Sequence, residues 1–302
     1  VEVLVMGEIV EHLDLKYYVD ENYPASKEPI REYESHVLGF CIIIADRNKV
    51  FVDVGACTGK YSIPMSKHYG MVIAIEPNPK NIEFLRKNIE LNKCDNIVII
   101  DKAVSNTKGK TKLALKGSQS FIEAYNVKDS IEVETDTLDN LIEKADVIKI
   151  DVEGAELKVI EGSERIIDEH KPIFVVEHNE YWSGDKPKTH LDIMKKLIAK
   201  GYYPFNYNYV HWIYVPKEKI SNFAGQLSEY ALGRLLSHHI FYEIIIKNIK
   251  EGKPWYYGLP NTWWHGVSIL EFVSVLVHKA PYEKEWLDLY KKTIFNNYGF
   301  KI

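Results

Sequence analysis

The chain has little of what marks several large protein classes. Its three cysteines, Cys41, Cys57 and Cys94, are far apart, odd in number and without a Cys-x-x-Cys spacing. Neither a disulfide framework nor a cysteine zinc site is expected, and a reducing, cytoplasmic setting fits. Near the start stand Glu2, Glu8 and Glu11 rather than a basic run and a long apolar stretch, so no signal peptide is expected. The longest apolar runs are short: Val267 to Val277 is interrupted by Ser268, Glu271 and Ser274, too polar and too brief for a transmembrane segment. There is no excess of positive charge. A formal net charge of −5 and an isoelectric point near 6.2 offer no general attraction to nucleic acid or anionic lipid, so no nucleic-acid partner is expected. Internal repeats and low-complexity tracts are also missing.

What is present is core material: 302 residues, 46% of them hydrophobic, suffice for one large α/β domain and an appendage. From Val50 to about Val215, short β-branched runs alternate with amphipathic stretches, the pattern of a Rossmann-like parallel sheet covered by helices on both faces. The candidate strands Val50–Val54, Val72–Ile75, Ile97–Ile100, Val147–Ile150, Ile173–Val176 and Trp212–Val215 are almost wholly apolar, as doubly covered strands are. One helix is expected after Asn78 as N-cap and Pro79 at the first position, with Ile82, Leu85 and Ile89 as its stripe. Another is expected from Ala155 to about Glu169, and a third from Leu191 to Lys200, stopped by Gly201. Asn106 to Asp136 reads as an irregular, partly β insertion over the sheet. Three regions follow: an N-terminal helical cap over 1–49, a central domain over 50–216, and a mostly helical extension over 217–302. The extension has helical periodicity from Ile220 to Lys250 and an aromatic group at Trp255, Tyr256, Tyr257, Trp263 and Trp264. That group reads as core packing or as a stacking platform for an acceptor.

The strongest motif is Val50-Phe51-Val52-Asp53-Val54-Gly55-Ala56-Cys57-Thr58-Gly59, an apolar strand ending in an acid and opening into a glycine turn. Its order is Asp-x-Gly-x-x-x-Gly, not the Gly-x-Gly-x-x-Gly of dinucleotide sites. An acid beside the turn favours a ligand carrying an ammonium and a sulfonium and repels a pyrophosphate. Glu76, 21 residues after Gly55 and followed by Pro77, ends the next strand, where a carboxylate can accept from ribose hydroxyls. Asp101, Lys102 and Ala103 end the third strand, where a sheet of this type holds an adenine. In Ile148-Lys149-Ile150-Asp151-Val152-Glu153-Gly154-Ala155-Glu156 a strand delivers Asp151 to the switch-point crevice. Crowding of Asp151, Glu153 and Glu156 raises the pKa of at least one of them, as a general base requires. Glu156 reads as a neutraliser of its helix N-terminus.

VDVGACTG, AIEPNPKNIEFLRKNIELN, DKAVS, TLDNLI and KIDVEGAELKVIEG, in that order, resemble the FkbM-type methyltransferases, a resemblance covering roughly Glu34 to Val215. It implies a class I methyltransferase fold, S-adenosylmethionine as donor, residues 50–216 as the donor-binding domain, and O-methylation of a sugar, glycolipid or related small-molecule or glycan acceptor. By position it implies that Asp53, Gly55 and Gly59 cradle the donor, with Ala56 in the same turn. Glu76 and Pro77 would hold the ribose, Asp101, Lys102 and Ala103 the adenine, and Asp151 would stand at the transfer centre. Cys57-Thr58 departs from the asparagine-containing pair more usual in that turn.

In-line methyl transfer needs an aligned acceptor oxygen and a place for its proton. Asp151 and His178, after the fourth and fifth strands, are the two catalytic candidates. No metal is expected, although Asp151, Glu177, His178 and Asn179 compose an alternative divalent-cation set. Two other functions share the nucleoside-binding features: an NAD(P)-dependent oxidoreductase and a catalytically silent binding module.

Overall fold

A computed structural model describes residues 7–31, 34–116, 119–122, 129–178, 189–206 and 211–219. The chain divides into two compact units, Val1–Lys200 and Gly201–Ile302.

The first unit opens with a hairpin of β1 (Glu8–His12) and β2 (Leu15–Val19), then a 3-10 turn over Pro24–Ile30 and helix α1 (Ser35–Ile43). The alternation that follows is β3 (Val50–Val54), α2 (Ser62–Met65), β4 (Met71–Ile75), α3 (Pro79–Asn92) and β5 (Ile97–Ile100). Four strands of a smaller sheet come next: β6 (Ala103–Val104), β7 (Gly109–Lys116), β8 (Gln119–Ile122) and β9 (Ser130–Asp136). The chain then returns through α4 (Leu138–Leu141) to β10 (Val147–Ile150), α5 (Glu156–Glu161), α6 (Glu164–His170), β11 (Ile173–Glu177) and α7 (Thr189–Ala199). The described part of the second unit is an antiparallel pair, β12 (Tyr202–Asn206) and β13 (His211–Pro216), and a 3-10 turn at Lys217–Lys219. Apart from that turn, the expected helical extension and its aromatic group lie outside the described residues.

Within the first unit the parallel strands run in the order β11-β10-β3-β4-β5. Chain order climbs outward from β3 through β4 to β5 and later from β10 to β11 in the opposite direction. Right-handed crossovers therefore put α2 and α3 on one face and α5 and α6 on the other, and the direction reverses between β3 and β10. All residues of β3 and β10 are buried, which is why the sequence offers continuous apolar runs and not alternation there. This is the Rossmann-like architecture expected from the sequence, a parallel sheet with helices between its strands and a reversal of strand order at its centre. α3 begins as expected: the Asn78 side chain accepts the Lys80 N–H at 3.0 Å, and Pro79 fills the first turn.

Three local expectations change. The N-terminal region is only partly helical: a 3-10 turn and α1 occupy Pro24–Ile30 and Ser35–Ile43, but Leu13 and Asp14, with φ of 51° and 61°, turn Glu8–Val19 into a hairpin with a two-residue loop. The helix expected from Ala155 to Glu169 is two helices broken at Gly162. A Cβ there would run into the Ser105 carbonyl, and the Gly162 carbonyl accepts the Asp139 N–H at 3.0 Å, so backbone from the neighbouring loop occupies that position. The insertion over 106–136 is more regular than expected: it supplies three strands, β7, β8 and β9, which join β6 in a four-stranded sheet of the order β6-β9-β7-β8. Among the described residues, no helix is long and apolar enough to cross a membrane.

Candidate functional site

A cleft of the first unit, about 410 Å³, opens at the carboxyl ends of β3, β4 and β10, where the strand order reverses. Val54 to Cys57, Lys60 and Tyr61 form one wall, Ile75, Glu76, Pro77 and Asn81 a second, and Lys149, Asp151, Val152 and Glu153 a third. Lys102, Ala103, Val104 and Leu113 close one end, and Glu28, Arg31, Glu34 and Glu177 contribute charged side chains.

The glycine turn has two steric causes. A Cβ on Gly55, at φ +88°, would collide with the Asp151 carbonyl oxygen, so Gly55 lets the β3 and β10 turns touch. A Cβ on Gly59, at φ +102°, would stand 2.9 Å from side-chain carbons of Ile63 and Leu85. The N–H groups of the turn are spent internally. Those of Gly55 and Ala56 go to the Ile75 carbonyl at 2.9 and 3.1 Å, that of Gly59 to the Ala56 carbonyl at 2.9 Å, and that of Cys57 to Glu76 Oε2 at 2.8 Å. A pyrophosphate needs such groups turned outward at a helix N-terminus, and this turn offers it none of the four.

Glu76 is 4% exposed. Besides the Cys57 bond, its Oε1 accepts the Asn78 N–H at 2.8 Å and the Asn81 Nδ2 at 3.1 Å. Burial pushes its pKa up, and these donors pull it back.

Asp53 and Lys149 are register partners on β3 and β10 and share one face of the sheet. Asp53 does not line the cleft. It is buried, its Oδ2 accepts from Ser62 Oγ at 2.6 Å, and its Oδ1 has no hydrogen-bond partner among the described residues. Burial raises its pKa, opposed by Lys149 and Ser62. Lys149 reaches Asp151 Oδ2 at 2.7 Å and lies 4.3 Å from the centre of the Tyr61 ring. Burial alone would lower the lysine's pKa, but Asp151, Glu34, Asp53 and Glu177 together hold it above its ordinary value. Glu34 in turn holds Lys60 Nζ and the Tyr61 hydroxyl, both at 3.3 Å.

Glu153 lines the cleft in a left-handed conformation, φ 53°, followed by Gly154 at φ 104°. Partial burial, then Asp151, Glu177 and Glu156, push its pKa up to about 8 against the pull of Lys149. Glu156 is pushed up to about 7, chiefly by burial, and accepts the Gly154 N–H at 2.9 Å.

Of the residues singled out in the sequence, the structure brings Gly55, Ala56, Glu76, Pro77, Lys102, Ala103 and Asp151 to the cleft. Asp53, Gly59, Asp101 and His178 are not on its lining. His178 is buried, its ring edge-on to His190 at 6.0 Å between centroids. Asp151, Glu177 and His178 are not gathered as metal ligands, and Asn179 lies outside the described residues. Lys149, Lys60, Glu34, Arg31 and Glu28 are lining residues that the sequence reading passed over. Lys149 carried a signal, a lone cation inside the apolar run Val147–Ile150, since a buried charge needs a partner.

The methyltransferase FkbM domain model matches residues 53–204. One stretch of 59 residues is 41% identical to the tRNA(Phe) (4-demethylwyosine(37)-C(7)) aminocarboxypropyltransferase of Methanocaldococcus jannaschii, covering 19% of this chain and 24% of that enzyme. The chain thus matches about a quarter of that relative's length. Among solved structures, the FkbM methyltransferase from Methylobacillus flagellatus KT is 18% identical with a TM-score of 0.43, covering 63% of this chain and 47% of its own. The M. jannaschii protein TYW2, solved in complex with AdoMet, is 19% identical with a TM-score of 0.41, covering 69% and 83%. The expectation that nucleic acid is no partner is corrected by the first of these relatives. A segment shared with an enzyme named for tRNA(Phe) shows that net charge was too coarse a criterion, because it averages over the whole surface and ignores local patches.

Proposed function

The chain belongs to the FkbM methyltransferase family, with S-adenosylmethionine as donor, and we propose that it methylates a hydroxyl oxygen of a small-molecule or glycan acceptor, such as a sugar or glycolipid. The observation that carries this reading is the acid-rich cleft at the switch point, where Glu76 stands on one side and Asp151 with Glu153 on the other. Six carboxylates line it against Arg31, Lys60, Lys102 and Lys149, a balance that favours a cationic donor.

S-adenosylmethionine supplies an electrophilic methyl group on a sulfonium. In this reading Glu76 binds the ribose and Asp151, its Oδ2 held by Lys149, stands beside the sulfonium. Glu153 would take the acceptor's hydroxyl proton as the oxygen–methyl bond forms and the sulfur–methyl bond breaks, with S-adenosylhomocysteine as the leaving group. A carboxyl pushed up to about 8 is a far better proton acceptor than an ordinary one, although it is ionised only in part at neutral pH. His178, away from the cleft lining, is the comparison: unchanged turnover in His178→Ala assigns it to structure.

A second reading is favoured by the 59-residue match, namely transfer of an aminocarboxypropyl group to tRNA. One experiment separates the two. The protein is incubated with S-adenosylmethionine labelled in the methyl or in the carboxyl carbon, and with a panel of hydroxylated glycans or unmodified tRNA. Methyl label on a glycan is the expected result. Carboxyl label on tRNA supports the second reading, and methyl label on tRNA alone overturns the acceptor class.

A further inference from the structure

The Glu76 carboxylate has about four acceptor positions. Among the described residues Oε1 receives Asn78 N–H and Asn81 Nδ2, and Oε2 receives Cys57 N–H. One position is left, on Oε2, so the direction in which Glu76 can hold a further donor is set by the three bonds already made.

Two of these donors are backbone groups fixed by the fold. The third, the Asn81 amide, can rotate, and a rotated amide would face Glu76 with its oxygen and repel it. What holds it is Tyr23, whose hydroxyl donates to Asn81 Oδ1 at 2.6 Å. Tyr23 is itself held. Its ring stacks on Phe84 of α3, 5.0 Å between centroids at 22°, and its hydroxyl oxygen accepts Asn78 Nδ2 at 3.4 Å. The segment carrying Tyr23 is latched to the glycine turn as well. Thr58 Oγ1 donates to the Ala25 carbonyl at 2.9 Å. Asn88 joins both, donating to the Thr58 carbonyl at 2.8 Å and accepting the Tyr18 N–H at 2.8 Å.

We propose that Tyr23, which precedes the matched residues 53–204, is a positioning residue of the donor site that aims Glu76 through Asn81 at one ribose hydroxyl. The proposal rests on the reading that Glu76 holds the donor's ribose. Tyr23 does not touch the donor. It fixes the amide so that only an Nδ2 donor faces the carboxylate, and a chain of polarised hydrogen bonds runs from the N-terminal segment to the cleft.

The test is calorimetric titration of wild type, Tyr23→Phe and Asn81→Ala with S-adenosylhomocysteine and with its 2′-deoxy and 3′-deoxy analogues, alongside thermal unfolding of each protein. Phenylalanine keeps the stack on Phe84 and removes only the hydroxyl. The expected result is a Kd for S-adenosylhomocysteine raised about 5- to 20-fold in both variants, with the Tyr23→Phe unfolding temperature near that of wild type. The loss should vanish with whichever deoxy analogue already binds wild type poorly, because the hydroxyl that Glu76 holds is then missing. Equal weakening toward every ligand, or no weakening, overturns the proposal. If Tyr23→Phe does not fold, Asn81→Ala decides by the same comparison. Wild type that fails to bind S-adenosylhomocysteine overturns the donor reading itself and the proposal with it.

Discussion

The two turns that meet at the switch point are built differently. At the β3 and β4 end, the buried carboxylate of Glu76 is surrounded by donors that do not titrate, two backbone N–H groups and one amide. At the β10 end, Asp151, Glu153 and Glu156 crowd together with one deeply buried cation, Lys149, among them, and two of the three are pushed up to about 8 and 7. Fixed donors hold the Glu76 carboxyl in one orientation and oppose the rise in pKa that its burial causes. Burial, and after it repulsion by neighbouring acids, makes Glu153 and Glu156 exchange protons near neutrality, so one side of the cleft is suited to holding and the other to chemistry.

The contact between the turns is the first place to break the comparison. Gly55→Ala places a methyl group on the Asp151 carbonyl at a positive φ, and we expect a loss of about 3 kcal/mol or more, or no folded protein, by denaturant unfolding. Glu153→Gln should cost about 100-fold in kcat while leaving the donor Kd within about twofold, measured by steady-state kinetics and calorimetry. Glu76→Gln should do the reverse, raising the donor Kd about 10-fold with a smaller change in kcat, because an amide turns an N–H toward donors that need an acceptor.

The smallest effect is on pH dependence. Glu153 and Glu156 hold protons in the folded protein up to about 8 and 7, well above the 4.5 of an ordinary glutamate. Between those limits the folded state binds more protons than the unfolded one, so their contribution to stability is full below about pH 4.5 and is lost as pH rises to 8. Thermal unfolding from pH 5 to 8 should show this decline, and Glu153→Gln should flatten it.

Much of this arrangement was legible in the residues. The strands β3 and β10 fall where the apolar runs predicted them, since a doubly covered strand has no polar face to blur its ends, and β5 does so as a partly exposed edge strand. Glu76 and Asp151 were legible because each follows such a run directly. Asp53 was read as a cleft residue from its place beside the glycines, but strand alternation turns it to the Ser62 and Lys149 side. The hairpin over Glu8–Val19 was missed because Leu13-Asp14 stands where Asn-Gly would have announced it. The Tyr23 bond to Asn81 crosses 58 positions and leaves no periodic trace in the sequence.

The latch between the N-terminal segment and α3 also bears on how the chain assembles. Asn92 exchanges two hydrogen bonds with the Lys16 backbone, at 2.9 and 2.6 Å, across 76 positions. Closing a loop of that length costs entropy that is recovered only once α3 already has a surface to offer. By that entropy argument the hairpin that carries Lys16 is fastened after α3 has formed, and the donor site is complete only when that late contact is made.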